Sequence, residues 1–208
     1  MLVKDALKIT DSFTKTSKMP GLSYSLPAWE CKTGSKLAKI PGTVCHGCYA
    51  MKGNYTRFPS VKKAQYKRLG QLFNPTWVDA MVSMIERENN PYFRWHDAGD
   101  IQSAQHLKNI CDVAIKTPSI THWIPTREHK IVNDFVNQGN TIPKNLIIRI
   151  SATNIDGKPP KNASHTSTVH SSSKPIGFEC VAPKQNGACL DCRACWNPSI
   201  KNISYKQH

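Results

Sequence analysis

The sequence predicts an α/β protein, built as a partial (βα) barrel of the TIM-barrel-like kind or as an open α/β sheet, with a cysteine-rich C-terminal segment. Patterns typical of strands and helices alternate between residues 21 and 179. The segment NLIIRISAT, at 145–153, has the continuous apolar centre typical of a strand buried on both faces. With 208 residues, the chain is long enough to bury a core without cross-links.

The first half of the chain contains one predicted strand, a long loop and two predicted helices. Alternating apolar residues over 22–26 predict a short strand that Pro27 ends. A loop rich in glycine and lysine follows over 31–54. Apolar residues at helical spacing then predict helices over 58–73 and 74–89.

The second half repeats a strand–helix alternation, which predicts parallel strands joined by crossover helices. Ser103 is a suitable N-terminal cap for the first of these helices, and Gly139 ends the second. The predicted elements are a strand from 92, a helix over 103–117, a strand over 119–126, a helix over 127–139, a strand over 145–153, a polar loop over 156–174 with a short strand at 168–170, and a strand over 175–180.

The chain is predicted to form a single domain over 1–208. Residues 1–20 lack a clear period and are predicted to form an N-terminal arm, and 21–179 form the barrel-like core. Residues 180–208 form a cysteine-rich, metal-binding tail. Neither an internal repeat nor a long linker divides the sequence.

The charge balance favours an anionic partner, either an anionic small molecule or a nucleic acid. Lys and Arg number 28 against 14 Asp and Glu, for a formal net charge of +14. The basic residues are scattered, so charge alone does not choose between the two. The mixture of aromatic and basic residues near the first loop suits either a nucleic-acid surface or a basic helix face; it comprises Tyr49, Tyr55, Arg57, Lys62 and Lys63.

No membrane association is expected, and the sequence leaves the oligomeric state open. No apolar run approaches the roughly 20 residues that span a bilayer. The N-terminus lacks the apolar core of a signal peptide, which predicts a cytoplasmic protein with reduced thiols. In that compartment, clustered cysteines are more often metal ligands or redox groups than disulfides.

Four of the eight cysteines form a terminal group: Cys180, Cys189, Cys192 and Cys195. Their Cys-x8-Cys-x2-Cys-x2-Cys spacing resembles the repeated two-residue gaps of iron–sulfur proteins, with Cys180 as the upstream fourth ligand. A Cys₄ zinc site is the main alternative, since Cys-x2-Cys pairs also bind zinc. Redox-active thiols without metal are a third possibility.

Three further cysteines, Cys31, Cys45 and Cys48, form an upstream group on the loop after the first strand. Three protein ligands on a four-iron cluster leave one iron open to a substrate or cofactor. Alternatively, Cys45 and Cys48 join two terminal cysteines in one structural zinc site. Cys111 stands alone on an apolar helix face and is predicted to be a core residue.

The segment RWHDAGDI supplies the candidate catalytic residues His96, Asp97 and Asp100. A histidine and carboxylates at a strand end can perform acid–base chemistry or hold the hydroxyl groups of a ligand. Alternatively, Asp100 caps a helix beginning near Ile101, and His96 is hydrogen-bonded in the wall of the site.

Three residues at later strand ends are candidates for binding a cofactor: Arg127, Arg149 and Ser151. Arg127 follows a strand at a position suited to an anion. Arg149 is a charge inside an apolar strand, so an acidic ligand or a site aspartate is expected beside it. Because parallel strands place their carboxyl ends at one edge, all the candidate site residues are predicted to share a rim.

Five segments of the chain resemble the bacteriophage Gene product 88 family of cysteine-rich proteins: VCHGCYAMKGNY, FRWHDAGDI, THWIPTRE, LIIRISAT and CLDCRACW. The same segments are similar to a reduced, radical-SAM-like barrel. That resemblance implies a [4Fe–4S] cluster on Cys31, Cys45 and Cys48, with S-adenosylmethionine at the open iron. The gap between Cys31 and Cys45 is thirteen residues, however, where radical-SAM enzymes have three, so cluster binding carries over better than S-adenosylmethionine cleavage.

The sequence therefore predicts a phage-encoded iron–sulfur protein in the cytoplasm of the host bacterial cell. It would carry one or two [4Fe–4S] clusters and act as a redox or radical-SAM-like enzyme at the carboxyl ends of the strands. The alternative is a zinc-stabilised protein that binds nucleic acid.

Overall fold

The computed structural model describes residues 1–207 and contains one eight-stranded sheet in the order β1-β2-β3-β4-β5-β6-β8-β7. Strands β1 and β2 are antiparallel, whereas all the other neighbouring pairs are parallel. The strands are β1 (Thr14–Lys15), β2 (Leu22–Tyr24), β3 (Tyr92–Trp95), β4 (Thr121–Thr126), β5 (Leu146–Ile155), β6 (Thr166–His170), β7 (Phe178–Glu179) and β8 (Asn202–Lys206).

The α/β class and the mostly parallel sheet are confirmed, but the partial barrel is not. Over residues 1–207 the sheet stays open, with β1 and β7 at opposite edges. Each edge strand has only two residues, which is too short for an extensive ladder between the edges. The connections from β5 onward contain no α-helix, so the helical layer does not continue around the sheet.

Seven helices precede β5 in the chain: α1 (Val3–Thr10), α2 (Gly34–Leu37), α3 (Asn54–Arg57), α4 (Pro59–Gln71), α5 (Trp77–Arg87), α6 (Ala104–Lys116) and α7 (His129–Asn137). Short 3₁₀ turns lie at Ala28–Glu30, Tyr49–Met51, Ala182–Lys184 and Ala194–Trp196. The predicted cap of α6 is confirmed, because the Ser103 hydroxyl accepts a 3.0 Å hydrogen bond from the His106 amide. None of the helices in the described part of the chain is long and apolar enough to cross a membrane.

The main core lies between one face of the sheet and helices α5, α6 and α7. Side chains of Phe93, Trp95, Ile124 and Ile148 pack there against apolar residues of the three helices. Cys111 lies in this core with 3% of its surface exposed, which confirms the predicted core cysteine. The positions between these strand residues point to the opposite face.

The opposite face is covered by the cysteine-rich C-terminal segment. The Trp196 ring lies 5.3 Å from the ring of Trp123 and 5.4 Å from that of Tyr92, and its indole nitrogen donates a 3.0 Å hydrogen bond to the Phe93 carbonyl. The sheet is thus sandwiched between helices and a segment of loops. This arrangement places the terminal cysteines over the sheet.

The sequence did not predict several short elements, and α1 and β8 are the two that contribute most to the packing. Helix α1 lies within the predicted arm, and its Ala6 packs against Ala80 and Met84 of α5. Strand β8 lies within the predicted tail and pairs with both β6 and β7. Both segments are short, and tertiary packing stabilises them more than their intrinsic propensities do.

Candidate metal centre

The upstream cysteine loop crosses the carboxyl edge of the sheet and is tied to the ends of β4 and β5. The buried Glu128 carboxylate, just after β4, accepts hydrogen bonds from the Thr33 amide at 2.8 Å and the Thr33 hydroxyl at 2.7 Å. The Val44 amide donates a 2.9 Å hydrogen bond to the Thr153 carbonyl in β5. Cys31 and Cys45 are therefore held where sequence analysis expected them, at the ends of parallel strands.

Asp97 ties the remainder of the loop to the end of β3. Its carboxylate accepts hydrogen bonds from the Ser23 hydroxyl and, at 2.8 Å, from the Tyr55 hydroxyl. Its backbone carbonyl accepts a hydrogen bond from the hydroxyl of Tyr49, the residue after Cys48. These contacts give Asp97 a positioning role, and its catalytic role stays a prediction.

Two of the three upstream cysteines, Cys31 and Cys45, lie directly beside Gly34. A Cβ atom added to Gly34 would lie 3.6 Å from the Cys45 sulfur, 3.7 Å from the Cys31 sulfur and only 3.0 Å from the Cys31 Cβ. Burial raises the pKa of Cys31, and the charges of Cys48 and Cys45 raise it further. The missing side chain at Gly34 thus leaves a cradle between thiols that are close enough to influence one another.

Asp100 lies beside this group. Its carboxylate accepts hydrogen bonds from the Ile101 amide at 2.8 Å, the Thr126 hydroxyl at 2.6 Å and the Arg127 amide at 2.9 Å. Burial raises the pKa of Asp100 to about 6, although these donors oppose the shift. Asp100 does not cap a helix, since Ser103 caps α6 instead.

Arg127 is the predicted cofactor-binding residue closest to the upstream cysteines. Its positive charge lowers the pKa of Cys45, against the larger effect of burial, which raises it. Its side-chain Nε is buried and has no hydrogen-bond partner among the described residues. An unsatisfied buried donor is costly, so this position is suited to an additional acceptor.

His96, in contrast, faces the helices. Its ring centre lies 5.3 Å from that of His106 in α6 and 6.2 Å from that of Trp95. Both ring nitrogens are buried and lack hydrogen-bond partners within residues 1–207. The structure therefore separates His96 from the contacts that Asp97 and Asp100 make with the loop and strand ends.

The terminal group surrounds a separate cavity on the face of the sheet that the helices leave free. All four of its cysteines line this cavity, together with apolar side chains that include Phe178, Trp196 and Ile203. The Cys180 amide donates a 2.9 Å hydrogen bond to the Ser204 carbonyl in β8, and the Cys189 amide donates one of 2.7 Å to the Lys18 carbonyl. The predicted participation of Cys180 in the terminal group agrees with this placement.

Arg149 clamps the terminal segment to the sheet. The guanidinium is fully buried and donates hydrogen bonds to four backbone carbonyls: Ala194 at 3.1 Å, Cys195 at 3.0 Å, Asn197 at 3.0 Å and Ile200 at 2.8 Å. The expectation of an acidic ligand or aspartate beside Arg149 is wrong, because carbonyl oxygens of a curved backbone satisfy the charge instead.

Ser151 is also satisfied within the protein. Its hydroxyl accepts a 3.0 Å hydrogen bond from the Ser167 hydroxyl in the neighbouring strand β6. Its carbonyl lies 3.1 Å from the His129 Nε2 atom. These contacts join β5 to β6 and α7, and the cofactor contact of Ser151 stays a prediction.

Replacing Arg149 with methionine is expected to lower the free energy of unfolding by at least about 2 kcal/mol. The carbonyls of Cys195 and Ile200 lose their donor, at about 1–3 kcal/mol each, whereas those of Ala194 and Asn197 keep a backbone amide donor. Urea denaturation measures the change. Arg87→Met, at an exposed position in α5, is the control and should change stability by less than about 0.5 kcal/mol. Equal stability of the two variants would contradict the clamp.

The seven cysteines divide into a group of three and a group of four. The thiols that raise the pKa of Cys31 are Cys45 and Cys48, whereas those that raise the pKa of Cys189 are Cys180 and Cys192, in each case after the larger effect of burial. This grouping disfavours the alternative in which Cys45 and Cys48 join two terminal cysteines around one zinc ion.

Arg94 lies between the two groups. Its guanidinium is 3.4 Å from the Tyr49 hydroxyl on the upstream side and 4.8 Å from the centre of the Trp123 ring. On the terminal side, its charge lowers the pKa of Cys195, although burial, the larger effect, raises that pKa to about 12. Within the described residues Arg94 has no salt bridge to a carboxylate, and its buried Nε has no hydrogen-bond partner.

The side chains of residues 1–207 do not present a preformed site for a single ion. Within residues 1–207, no group of three or more His, Cys, Asp or Glu side chains is arranged so that it could hold a metal ion. Tetrahedral zinc with zinc–sulfur distances of about 2.3 Å requires sulfurs roughly 3.8 Å apart. In a four-iron cluster each thiolate binds a different iron, so the thiolates stand further apart.

Comparison with known proteins identifies the family. The family model described as Gene product 88 matches residues 1–198. The chain belongs to the Gene product 88 family. This membership confirms the resemblance to a phage gene product family and covers both cysteine groups of this Gene product 88 protein. Neither the curated proteins nor the solved structures contain a match to the chain.

Sequence analysis missed three residues of the Gene product 88 site: Gly34, Arg94 and Glu128. Gly34 lies between two cysteines of one loop, and this position is the one feature of the sequence that could have indicated its place in the site. Arg94 was noted only as part of RWHDAGDI, and Glu128 directly follows the candidate Arg127. Their roles depend on contacts between distant segments.

Proposed function

We propose that this chain is an iron–sulfur protein with two centres, and that it works in the cytoplasm of the phage's host cell. The observation that carries the proposal is the division of seven cysteines into one group of three on the loop that contains Gly34 and one group of four around a separate cavity. The two groups lie on either side of Arg94, a partly buried cation without a carboxylate partner in the described residues. Anionic clusters would satisfy that charge.

Cys31, Cys45 and Cys48 would hold a [4Fe–4S] cluster at the carboxyl edge of the sheet. The cradle at Gly34 supports this assignment, because a cluster needs room between the thiolates. Bound there, the group would supply one-electron chemistry and one iron without a protein ligand. Arg127, with its unpartnered Nε, would bind a carboxylate such as that of S-adenosylmethionine, or the phosphate of another ligand.

Asp100 and Glu128 would hold this site in shape. The carboxylate of Asp100 already accepts three hydrogen bonds from the ends of β3 and β4, and that of Glu128 accepts two from Thr33. Their acceptors are therefore committed to the scaffold. The contribution of these two carboxylates is therefore to hold the cysteine loop and the strand ends in place around a ligand.

Cys180, Cys189, Cys192 and Cys195 would hold the second centre. Four thiolates complete the ligand set of a four-iron cluster, so this centre would have no open iron. Its apolar surroundings and the Arg149 clamp support a role in storing electrons or in maintaining the structure. A structural zinc ion in the terminal group is the alternative.

Metal analysis tests the proposal directly. Protein purified without oxygen is expected to be brown and to contain about eight irons and eight sulfides per chain, as two four-iron clusters require. Iron, sulfide and zinc are measured chemically, and the reduced protein is examined by EPR. Addition of S-adenosylmethionine is expected to alter the EPR signal of the cluster with the open iron. A colourless protein with stoichiometric zinc would refute the proposal.

A further inference from the structure

The upstream cysteine group lies within the most basic stretch of the chain. Residues 31–78 contain nine Lys and Arg residues and neither Asp nor Glu. The formal net charge of the whole chain is +14, so this stretch carries well over half of the excess positive charge. A run of 48 residues without any acidic side chain favours contact with an extended anion.

Nearly all of this positive charge faces outward. Eight of the nine side chains are exposed, and the exception is the buried Arg68. The exposed side chains are Lys32, Lys36, Lys39, Lys52, Arg57, Lys62, Lys63 and Lys67. Lys67 lies 3.9 Å from Asp11 and is the one member with an ion pair within the described residues. The positive charge is thus largely unpaired.

Three large aromatic side chains lie among the exposed cations. Tyr49 is 55% exposed, Phe58 47% and Tyr66 39%. Side chains of this size are normally buried to a greater extent, so three of them between residues 49 and 66 form a distinct surface. Exposed aromatic faces beside cations are the components with which proteins stack the bases and neutralise the phosphates of single strands.

The cations and aromatic rings are joined to the cysteine loop as one surface. The Lys62 ammonium lies 5.0 Å from the centre of the Trp29 ring, and the Tyr66 hydroxyl donates a 2.9 Å hydrogen bond to Glu30. Trp29 and Glu30 directly precede Cys31. Helix α4 therefore lies alongside the start of the upstream loop.

The other end of the loop belongs to the same surface. Ala28, before Cys31, packs with Ala50, after Cys48, and with Tyr55. The Tyr49 ring in turn lies 6.1 Å from the Tyr55 ring. We call the exposed side chains of residues 32–67 the basic aromatic surface.

We infer that the basic aromatic surface binds single-stranded nucleic acid and brings it to the upstream cysteine group. A single strand is favoured over a duplex because paired bases cannot stack on Phe58 or Tyr66. The inference deepens the proposed function. It rests on that function only for the cluster that the bound strand would reach, because binding of the strand itself needs no cluster. RNA and DNA both carry the bases and phosphates that this surface would contact.

The test is fluorescence anisotropy of the anaerobically purified protein with labelled oligo(U) and oligo(dT) of about 20 nucleotides. At about 0.1 M salt, Lys36→Glu/Lys63→Glu is expected to weaken binding by at least tenfold and to lower the salt slope by about 2. Lys144→Glu/Lys201→Glu changes the charge equally, and both lysines are exposed just before strands β5 and β8, at the opposite edge of the sheet. That control is expected to weaken binding by less than threefold.

The aromatic residues have their own matched pair of variants. Phe58→Ala is expected to weaken binding about tenfold, as the loss of one stacked base does. Phe73→Ala removes a ring that is 59% exposed at the far end of α4 and is expected to leave binding unchanged. Oligo(U) and oligo(dT) affinities show whether RNA or DNA is preferred.

Measuring the iron content of every preparation shows whether a result contradicts this inference or the proposed function. Weak binding by wild-type protein with its iron intact would overturn this inference and leave the proposed function standing. Equal binding of duplex or heparin, with no effect of Phe58→Ala, would also overturn it, because it would show general attraction to polyanions. Tight binding by a preparation without iron would support the inference while refuting the proposed function.

Discussion

Replacing Cys45 and Cys48 with serine is expected to remove about half of the iron and sulfide from the protein. The two thiols lie in the group around Gly34, separate from the group that lines the terminal cavity. A four-iron cluster does not survive with a single cysteine ligand. The remaining cluster should give the same EPR signal with and without S-adenosylmethionine, since it has no open iron. Chemical iron analysis and EPR measure both effects.

The reciprocal variant, Cys189→Ser/Cys192→Ser, is expected to retain the other half of the iron. Its remaining EPR signal should respond to S-adenosylmethionine. Cys111→Ser is the matched control, because Cys111 lies in the core beneath the helices and belongs to neither group. Loss of all iron from either double variant, with folding intact, would show that the seven cysteines share one centre.

The variant Gly34→Val tests whether the upstream centre needs the free space beside Gly34 as well as its cysteine ligands. It keeps all seven cysteines but fills the cradle, since even a Cβ atom there would lie 3.0 Å from the Cβ atom of Cys31. The variant should therefore lose the same half of the iron as Cys45→Ser/Cys48→Ser. Gly70→Val is a matched control because a Cβ atom at Gly70 meets nothing within 4 Å. Full iron content in Gly34→Val would contradict the role of the cradle.

Acidification from pH 7 to pH 5 is expected to lower the free energy of unfolding by several kcal/mol through buried histidines. Burial lowers the pKa of His106 to about 3, that of His122 to about 3 and that of His96 well below its usual value. In the unfolded chain histidine titrates near 6.5, so between pH 6.5 and 3 the unfolded state binds protons that the folded state excludes. Stability therefore falls as the pH falls through this window, by about 2 kcal/mol per histidine at pH 5.

Asp100 has the opposite effect on the free energy of unfolding as the pH falls. Burial raises its pKa to about 6, so the folded state takes up a proton before the unfolded state does. This offsets about 1 kcal/mol of the loss at pH 5. The net effect remains a loss, because three buried histidines outweigh one buried carboxyl group.

Urea denaturation at pH 7 and pH 5 measures the loss, with His122→Asn as the informative variant. His122 accepts a 3.2 Å hydrogen bond from the Trp95 indole and lies 2.8 Å from the Thr117 hydroxyl, contacts that an amide can partly replace. The variant should show about 2 kcal/mol less pH dependence than the wild type. Since acid also weakens metal–thiolate bonds in both proteins, the difference between them is the relevant quantity. An identical pH dependence would contradict the assignment to His122.

The sequence was most informative where function depends on local spacing. The Cys-x2-Cys gaps in both segments led to two candidate groups, and the structure separates the cysteines in the same way. The alternation of strands and helices from residue 92 to 153 predicted the parallel part of the sheet. Both signals arise from neighbouring residues, which explains why they were visible without a fold.

Predictions for isolated polar residues were less successful. His96 and Asp97 are adjacent, yet one faces the helices and the other ties down the cysteine loop. Arg149 required a partner, as a buried charge in a strand does, but the partner is a set of carbonyls from residues 194–200. The residue type indicates that a partner is needed, and only the chain path shows which group provides it.

The sequence alone determines the α/β class, the two cysteine groups and the basic stretch over 31–78 that lacks acidic residues. The tertiary structure added the open sheet, the cradle at Gly34, the Arg149 clamp and the position of Arg94 between the groups. The reason is distance along the chain. Thr33 and Glu128 are 95 positions apart, and they meet because the loop after β2 crosses the carboxyl end of β4. Periodicity and spacing describe neighbours in sequence, whereas sheet order brings such distant residues into contact.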